Sequence, residues 1–180
     1  DNSLRFEDGD SAYLSRTPTS AGNRSVFTFS AWVKRANTGS AVADGYETTI
    51  FHAGTASSPR GHIRLYEDRL EGAYYNGSWV WYQKTTPLFR DPSAWYHIVV
   101  SLDTTSAEGK MYVNGVEVTD FESNTVPGSS LETTFNNTVE HQVGCRQGSA
   151  GYFDGYLAEV YWIDGTALDA SSFGETDAAT

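Results

Sequence analysis

Sulfur and proline are scarce in this chain: one cysteine, one methionine and five prolines occur in 180 residues. A lone Cys145 cannot close an intrachain disulfide or build a cysteine-based zinc site. The fold must therefore hold without covalent staples, which suits a reducing compartment and equally an extracellular protein with an adequate core. Positive charge is also in short supply. Twelve Lys and Arg face 23 Asp and Glu, a net charge of −11. That balance argues against a nucleic-acid partner, whose phosphates reward Lys and Arg. No apolar run approaches the roughly 20 residues of a membrane-spanning helix, so membrane insertion is not expected. No Gly-x-Ser-x-Gly elbow, His-Glu-x-x-His helix or Walker loop is present. His52, His62, His97 and His141 are scattered singly and read as structural. The chain begins at Asp1 with neither Met nor an apolar leader, so processing or a longer parent is expected.

What the chain does have is alternation at period two. In VFTFSAWVKR (26–35), Phe27, Phe29, Ala31 and Val33 share one face. In WYHIVVSLD (95–103), Tyr96, Ile98, Val100 and Leu102 do the same. In KMYVNGVEVT (110–119), Asn114-Gly115 joins two short strands, a strong hairpin signal because both turn residues need positive φ. Met111, Val113, Val116 and Val118 are its expected core side. Further strands are expected at 4–7, 12–16, 48–54, 61–67, 70–76, 78–85, 141–146 and 152–163, with longer loops at 36–47, 54–60, 85–94 and 120–138. Only 167–175 looks helical, with Asp169 as cap and Gly174 as stop. Many short strands with little helix predict an all-β, antiparallel two-sheet β-sandwich with one short helical turn near the C-terminus. Residues 1–174 are expected to form one domain, and 175–180 a polar tail or link. Trp32, His97 and Tyr112 fall opposite the expected core faces, which predicts a minor second core under loops.

The order of these segments resembles the laminin-G-like, concanavalin A-like jelly rolls. SLRFEDGDSAYLSRT looks like the family's first hairpin, and FTFSAWVKR like its Phe-Thr-x-x-x-Trp strand. WYHIVVSLD followed by GKMYVNGVEV resembles its Trp-x-His strand and Tyr-Val-Asn-Gly hairpin. QVGCRQGSAGYFDGYLAEVYWIDGTAL resembles the closing pair of strands. The resemblance implies the concanavalin A-like jelly roll, an architecture that hosts lectins, glycosidases, adhesion modules and structural modules. The run YLAEVYWIDGTALDASSFGETD looks like the ending of such modules in bacteriophage tail, fibre and other virion proteins. That implies a virion surface, hence extracellular, setting, with a cell-surface glycan or other virion subunits as partners. It also implies a homo-oligomer or a place in a larger assembly.

Three chemistries deserve weighing on this scaffold. Retaining glycosidases need two carboxyls about 5–5.5 Å apart, hence acids on one strand face. Glu117-Val-Thr-Asp120-Phe-Glu122 opens on an odd gap, and Glu159 and Asp164 are oddly spaced too. An enzyme is therefore not expected. Calcium takes six to eight oxygens on tight loops. Asp8 and Asp10 sit in the first hairpin turn and Asp154 near the last hairpin, and first and last strands are commonly neighbours in jelly rolls. These three acids are the candidate calcium ligands, although Asp-Gly pairs also serve simply as turn chemistry. Carbohydrate recognition needs flat aromatic faces plus amides. Tyr75, Asn76, Trp79, Trp81 and Tyr82 lie in the densest aromatic stretch and are the candidate ligand-binding residues. Strict alternation puts Trp79 and Trp81 on one face. Such a ladder serves equally as core or subunit interface, where Trp and Tyr are also enriched.

Overall fold

The computed structural model describes residues 2–39, 47–128, 130–147 and 150–174. The alternating segments form the strands β1 (Ser3–Phe6), β2 (Leu14–Arg16), β3 (Val26–Arg35), β4 (Glu47–Gly54), β5 (Arg60–Tyr66), β6 (Arg69–Tyr75) and β7 (Trp79–Thr85). They continue with β8 (Tyr96–Asp103), β9 (Glu108–Val113), β10 (Val116–Glu117), β11 (Phe121–Thr125), β12 (His141–Val143) and β13 (Gly155–Asp164). Two antiparallel sheets result. One runs β1-β13-β3-β8-β9-β10, the other β11-β7-β6-β5-β4-β12-β2. This is the all-β sandwich that the period-two pattern predicts.

The core lies between the sheets. Phe27, Phe29, Ala31 and Val33 all point into it from β3, as their spacing requires, and Ile98, Val100 and Leu102 follow from β8. The second sheet answers with Phe51, Ile63, Leu65, Leu70 and Trp81. Phe29 meets Phe51 across the gap with ring centroids 5.5 Å apart, and Phe27 meets Trp81 edge-on at 6.3 Å. Burying each such side chain stabilises the fold by roughly 1.5–3 kcal/mol. Asn114 and Gly115 adopt φ of 51° and 81°, so the Asn-Gly turn forms where expected.

Three expectations need correction. β11 lies inside 120–138, which reads as loop; its sequence FESNT is polar after Phe121 and lies at the sheet edge, so no alternation marks it. Val116 is exposed rather than core-facing, because β10 is a two-residue edge strand with nothing packed over it. Trp81 does not share a face with Trp79, for a reason given below. The expected helical turn exists as a single 3-10 turn, Ala170–Ser172, capped by the Asp169 side chain accepting from the Ser171 amide at 3.0 Å. That turn folds over the outer face of the six-stranded sheet. Val99, Tyr112 and Ala170, with Phe173 against them, make the second small core. Trp32 stacks on His97 beside it, with centroids 5.0 Å apart. Residues 40–46, within the long loop expected at 36–47, and the tail 175–180 lie outside the described residues.

Candidate functional site

The outer face of the seven-stranded sheet carries the ionisable groups. Strand alternation puts His62, Arg64 and Tyr66 of β5 and Glu71, Ala73 and Tyr75 of β6 on this side. Glu71 is fully buried and accepts three side chains. His62 Nε2 donates to it at 2.8 Å, Arg64 at 2.6 and 2.7 Å, and the Tyr82 hydroxyl at 3.0 Å. The other arm of Arg64 reaches Glu47 at 2.8 Å, and Arg146 reaches the same carboxylate at 2.8 Å. Burial alone would raise the Glu71 pKa. The His62 hydrogen bond, the Arg64 charge and the Tyr82 bond outweigh it and bring the group down to about 2. Glu47 is lowered in the same way, burial being overcome by Arg64 and Arg146. Because an ionised carboxylate only accepts, His62 Nε2 carries the proton of that bond. His52, paired directly across from His62, is fully buried and has no hydrogen-bond partner at either ring nitrogen among the described residues. Burial, then the charges around His62, Arg146 and Arg60, bring it down to about 3, so it is neutral at physiological pH.

Beside this network stands an aromatic cluster. The pairing of β6 with β7 shifts register: Tyr74 faces Trp81, but Tyr75 faces Trp79. Val80 is the extra residue of that bulge. It reverses the alternation, so Trp81 turns into the core and Trp79 turns out. Trp81 is 0 % exposed and its indole nitrogen donates to Gln83 at 2.9 Å; Trp79 is 40 % exposed. Tyr75 and Tyr82 flank Trp79 with ring centroids at 5.0 and 5.2 Å, and His62 touches it edge-on at 5.7 Å. The Arg60 guanidinium lies 4.9 Å from the Tyr75 ring centre and 5.5 Å from that of Trp79. Asn76 opens the tight exposed turn next to them, its amide donating to the Ser78 carbonyl at 3.1 Å. Of the five expected ligand residues, then, Tyr75, Asn76, Trp79 and Tyr82 come together and Trp81 is withdrawn. The sequence reading missed Arg60, Arg64, Glu47 and Glu71 and took His62 for a scattered structural residue. The available signal was polar residues alternating with apolar ones or glycine in β5 and β6, RGHIRLY and RLEGAYY; Glu47, followed by Thr48 and Thr49, carried none.

The acidic group expected at the first and last hairpins also assembles, with one change. β1 pairs with β13, Phe6 facing Gly155, so the turns meet. Carboxylate oxygens of Glu7, Asp8 and Asp154 lie within 4.8 Å of one another. Asp10 is not in this group. The 3-10 turn Asp8–Asp10, closed by Ser11 in the left-handed region, leaves it exposed. Asn37 Nδ2 donates to Asp154. Burial, then the charges of Asp8 and Glu7, raise the Asp154 pKa. Glu117 and Glu122, the acids weighed for hydrolysis, belong to different sheets, and Glu122 is engaged by Arg69 and Lys84.

Two further places are hollow. A cavity of about 550 Å³ opens between the sheets at the β2–β13 edge, floored by Phe51 and Trp162 and rimmed by Asn136, His141 and Asp164. On the six-stranded sheet, hollows of about 380 and 610 Å³ flank Trp32 and Trp95.

No curated protein matches the chain. Solved structures of the same fold do. The heptameric SAP-like pentraxin of Limulus polyphemus is 13 % identical over 89 % of this chain and 74 % of its own, with a TM-score of 0.58. Domains LG4-5 of mouse laminin α1 are 16 % identical over 93 % of this chain but 43 % of their own, with a TM-score of 0.63. The Ruminococcus gnavus IT-sialidase CBM40 with α2,3-sialyllactose bound is 11 % identical over 90 % and 96 %, with a TM-score of 0.61. Residues 8–172, nearly the whole chain, match a single family, and the chain accordingly belongs to the concanavalin A-like lectin/glucanase superfamily.

Proposed function

We propose that this chain is a non-catalytic glycan-binding module displayed on the surface of a virion. The observation that carries the reading is the Trp79 cluster. A half-exposed indole, two flanking tyrosines and a guanidinium stand on a rigid sheet, offering a flat apolar face with polar groups at its rim. The network behind it holds that face in place rather than performing chemistry. Glycoside hydrolysis needs one carboxyl that keeps its proton. Glu47 and Glu71 share Arg64, and both are held ionised. The sialyllactose-bound CBM40 domain supports a glycan partner for this fold. The virion setting rests on the likeness of the C-terminal run to bacteriophage structural modules. Screening the intact chain on a glycan array tests the reading: binding to at least one glycan is expected. Failure on every glycan would overturn it.

A second reading is favoured by the opposite face. The hollows around Trp32 and Trp95, with exposed Tyr156 and Tyr161 nearby, suit packing against another virion subunit or copy. Mass measurement together with the glycan array distinguishes the two, since a pure assembly module forms a multimer and binds no glycan.

Calcium is the proposed cofactor, with Glu7, Asp8 and Asp154 as carboxylate ligands. A cation bound only by the native state stabilises it by about 2.7 kcal/mol at a hundredfold excess over Kd. Calcium is therefore expected to raise the melting temperature, EDTA to reverse the rise, and Asp154→Asn to abolish both responses. A melting temperature indifferent to calcium and chelator removes the cofactor.

A further inference from the structure

We infer that the Trp79 surface selects a sugar bearing a single acidic group, a carboxylate or a sulfate, and that Arg60 reads that charge. The inference rests on the glycan-binding reading and adds the class of sugar.

Arg60 is exceptional in this chain. Eight of the twelve Lys and Arg side chains lie in ion pairs with Asp or Glu. Arg16, Lys34, Lys110 and Arg60 do not, among the described residues. Of these four, Arg60 is the one laid against the exposed Trp79. The nearby carboxylates are already engaged. Glu71 takes His62, Arg64 and Tyr82, and Glu47 takes Arg64 and Arg146. Arg60 uses one nitrogen on the Ser57 carbonyl, and its Nε is buried without an acceptor among the described residues, so the ends of the guanidinium are what a ligand meets. Its half-buried position is the reverse of a solvated surface charge, which would extend into water. The side chain is fixed instead by Tyr75 and Trp79, so little freedom is lost when a ligand arrives.

Its surroundings are locally positive in a protein of net charge −11. Burial, then the Arg146 and Arg64 charges, lower its pKa. A negative ligand group relieves that repulsion. A guanidinium matches a carboxylate or a sulfate in a planar, two-pronged contact, and such charge-assisted bonds are about twice as strong as neutral ones. The Trp79 face takes the apolar side of the same ring. One unpaired cation fits one acidic group, whereas the overall negative charge repels a polyanion such as nucleic acid.

Titration calorimetry on the intact chain tests this with matched pairs. α2,3-Sialyllactose is set against lactose, a glucuronate-ended oligosaccharide against its neutral parent, and a 6-sulfated one against its parent. At least one acidic probe is expected to bind about tenfold tighter than its parent, the scale of one charge-assisted hydrogen bond. Which pair shows it separates carboxylate from sulfate. The preference should shrink as salt is raised. Arg60→Met should bring the ratio of the two affinities towards one, and Arg60→Lys should restore part of it. Equal affinities for every pair, or a preference unchanged in Arg60→Met of normal melting temperature, would overturn the role of Arg60. Neutral probes that bind and are lost on Trp79→Ala would then leave the glycan reading standing. If no probe of either kind binds and the array is also blank, the glycan reading fails, and this inference with it.

Discussion

Trp79→Ala is expected to abolish glycan binding while leaving stability within about 1 kcal/mol of the parent, because it removes a surface ring and opens no cavity. Trp81→Ala, two residues on, is expected to do the opposite kind of damage. It empties a fully buried site beside Phe27, Met111 and Phe135 and strands the Gln83 carbonyl, at a cost of about 3–5 kcal/mol. Urea denaturation and array binding measured on both variants check the pair. A Trp79→Ala protein that keeps its glycan would remove the proposed binding surface. A Trp81→Ala protein of normal stability would contradict the bulge at Val80 itself.

Glu71→Ala should be the most damaging single change on the outer face. It leaves Arg64 and His62 buried with a lost partner, and breaking a buried pair in this way costs about 3–5 kcal/mol. The same network predicts how stability depends on pH. The folded protein keeps His52 neutral down to about 3, whereas the unfolded chain protonates it near its ordinary 6.5. The unfolded state therefore binds more protons as pH falls below 6.5, and stability declines by about 1.4 kcal/mol per pH unit for this group. His62 is lowered by burial and then by Arg64, and acts in the same direction. Glu71 adds a second stage. Its folded pKa, about 2, lies below the ordinary 4.5, so its contribution is complete above 4.5 and is lost as pH falls towards 2. Urea titrations from pH 8 to pH 3 should give a two-stage decline, the first stage shallower in His52→Phe. A flat profile between pH 6.5 and 4.5 would mean that these histidines are not held neutral.

The architecture was readable because period two survives in nearly every strand. β3 runs from Val26 to Arg35, as its alternation indicates, and Asn114-Gly115 places its hairpin to the residue. β11 escaped because an edge strand with one apolar residue, Phe121, offers no alternation to betray it. The meeting of Asp8 with Asp154 followed from first and last strands being neighbours, but the replacement of Asp10 by Glu7 depends on the winding of one 3-10 turn. Strict alternation misassigned Trp81 because a bulge is a property of two strands together, and one strand's sequence carries no count of its partner's residues. Arg60, Arg64 and Glu71 lay in expected strands, yet their role emerges only when β5 and β6 are set side by side.

Val80 is the one residue by which β7 outnumbers β6 between the two tryptophans. Removing that single residue would make the two tryptophans adjacent, and plain alternation would still hold Trp79 outside opposite Tyr75 and Trp81 inside opposite Tyr74, so the outward ring depends on which partner residues the strand meets and not on the extra residue. Variation that keeps the count and changes only the identities of Tyr75, Asn76 and Tyr82 leaves the scaffold intact while altering what it holds.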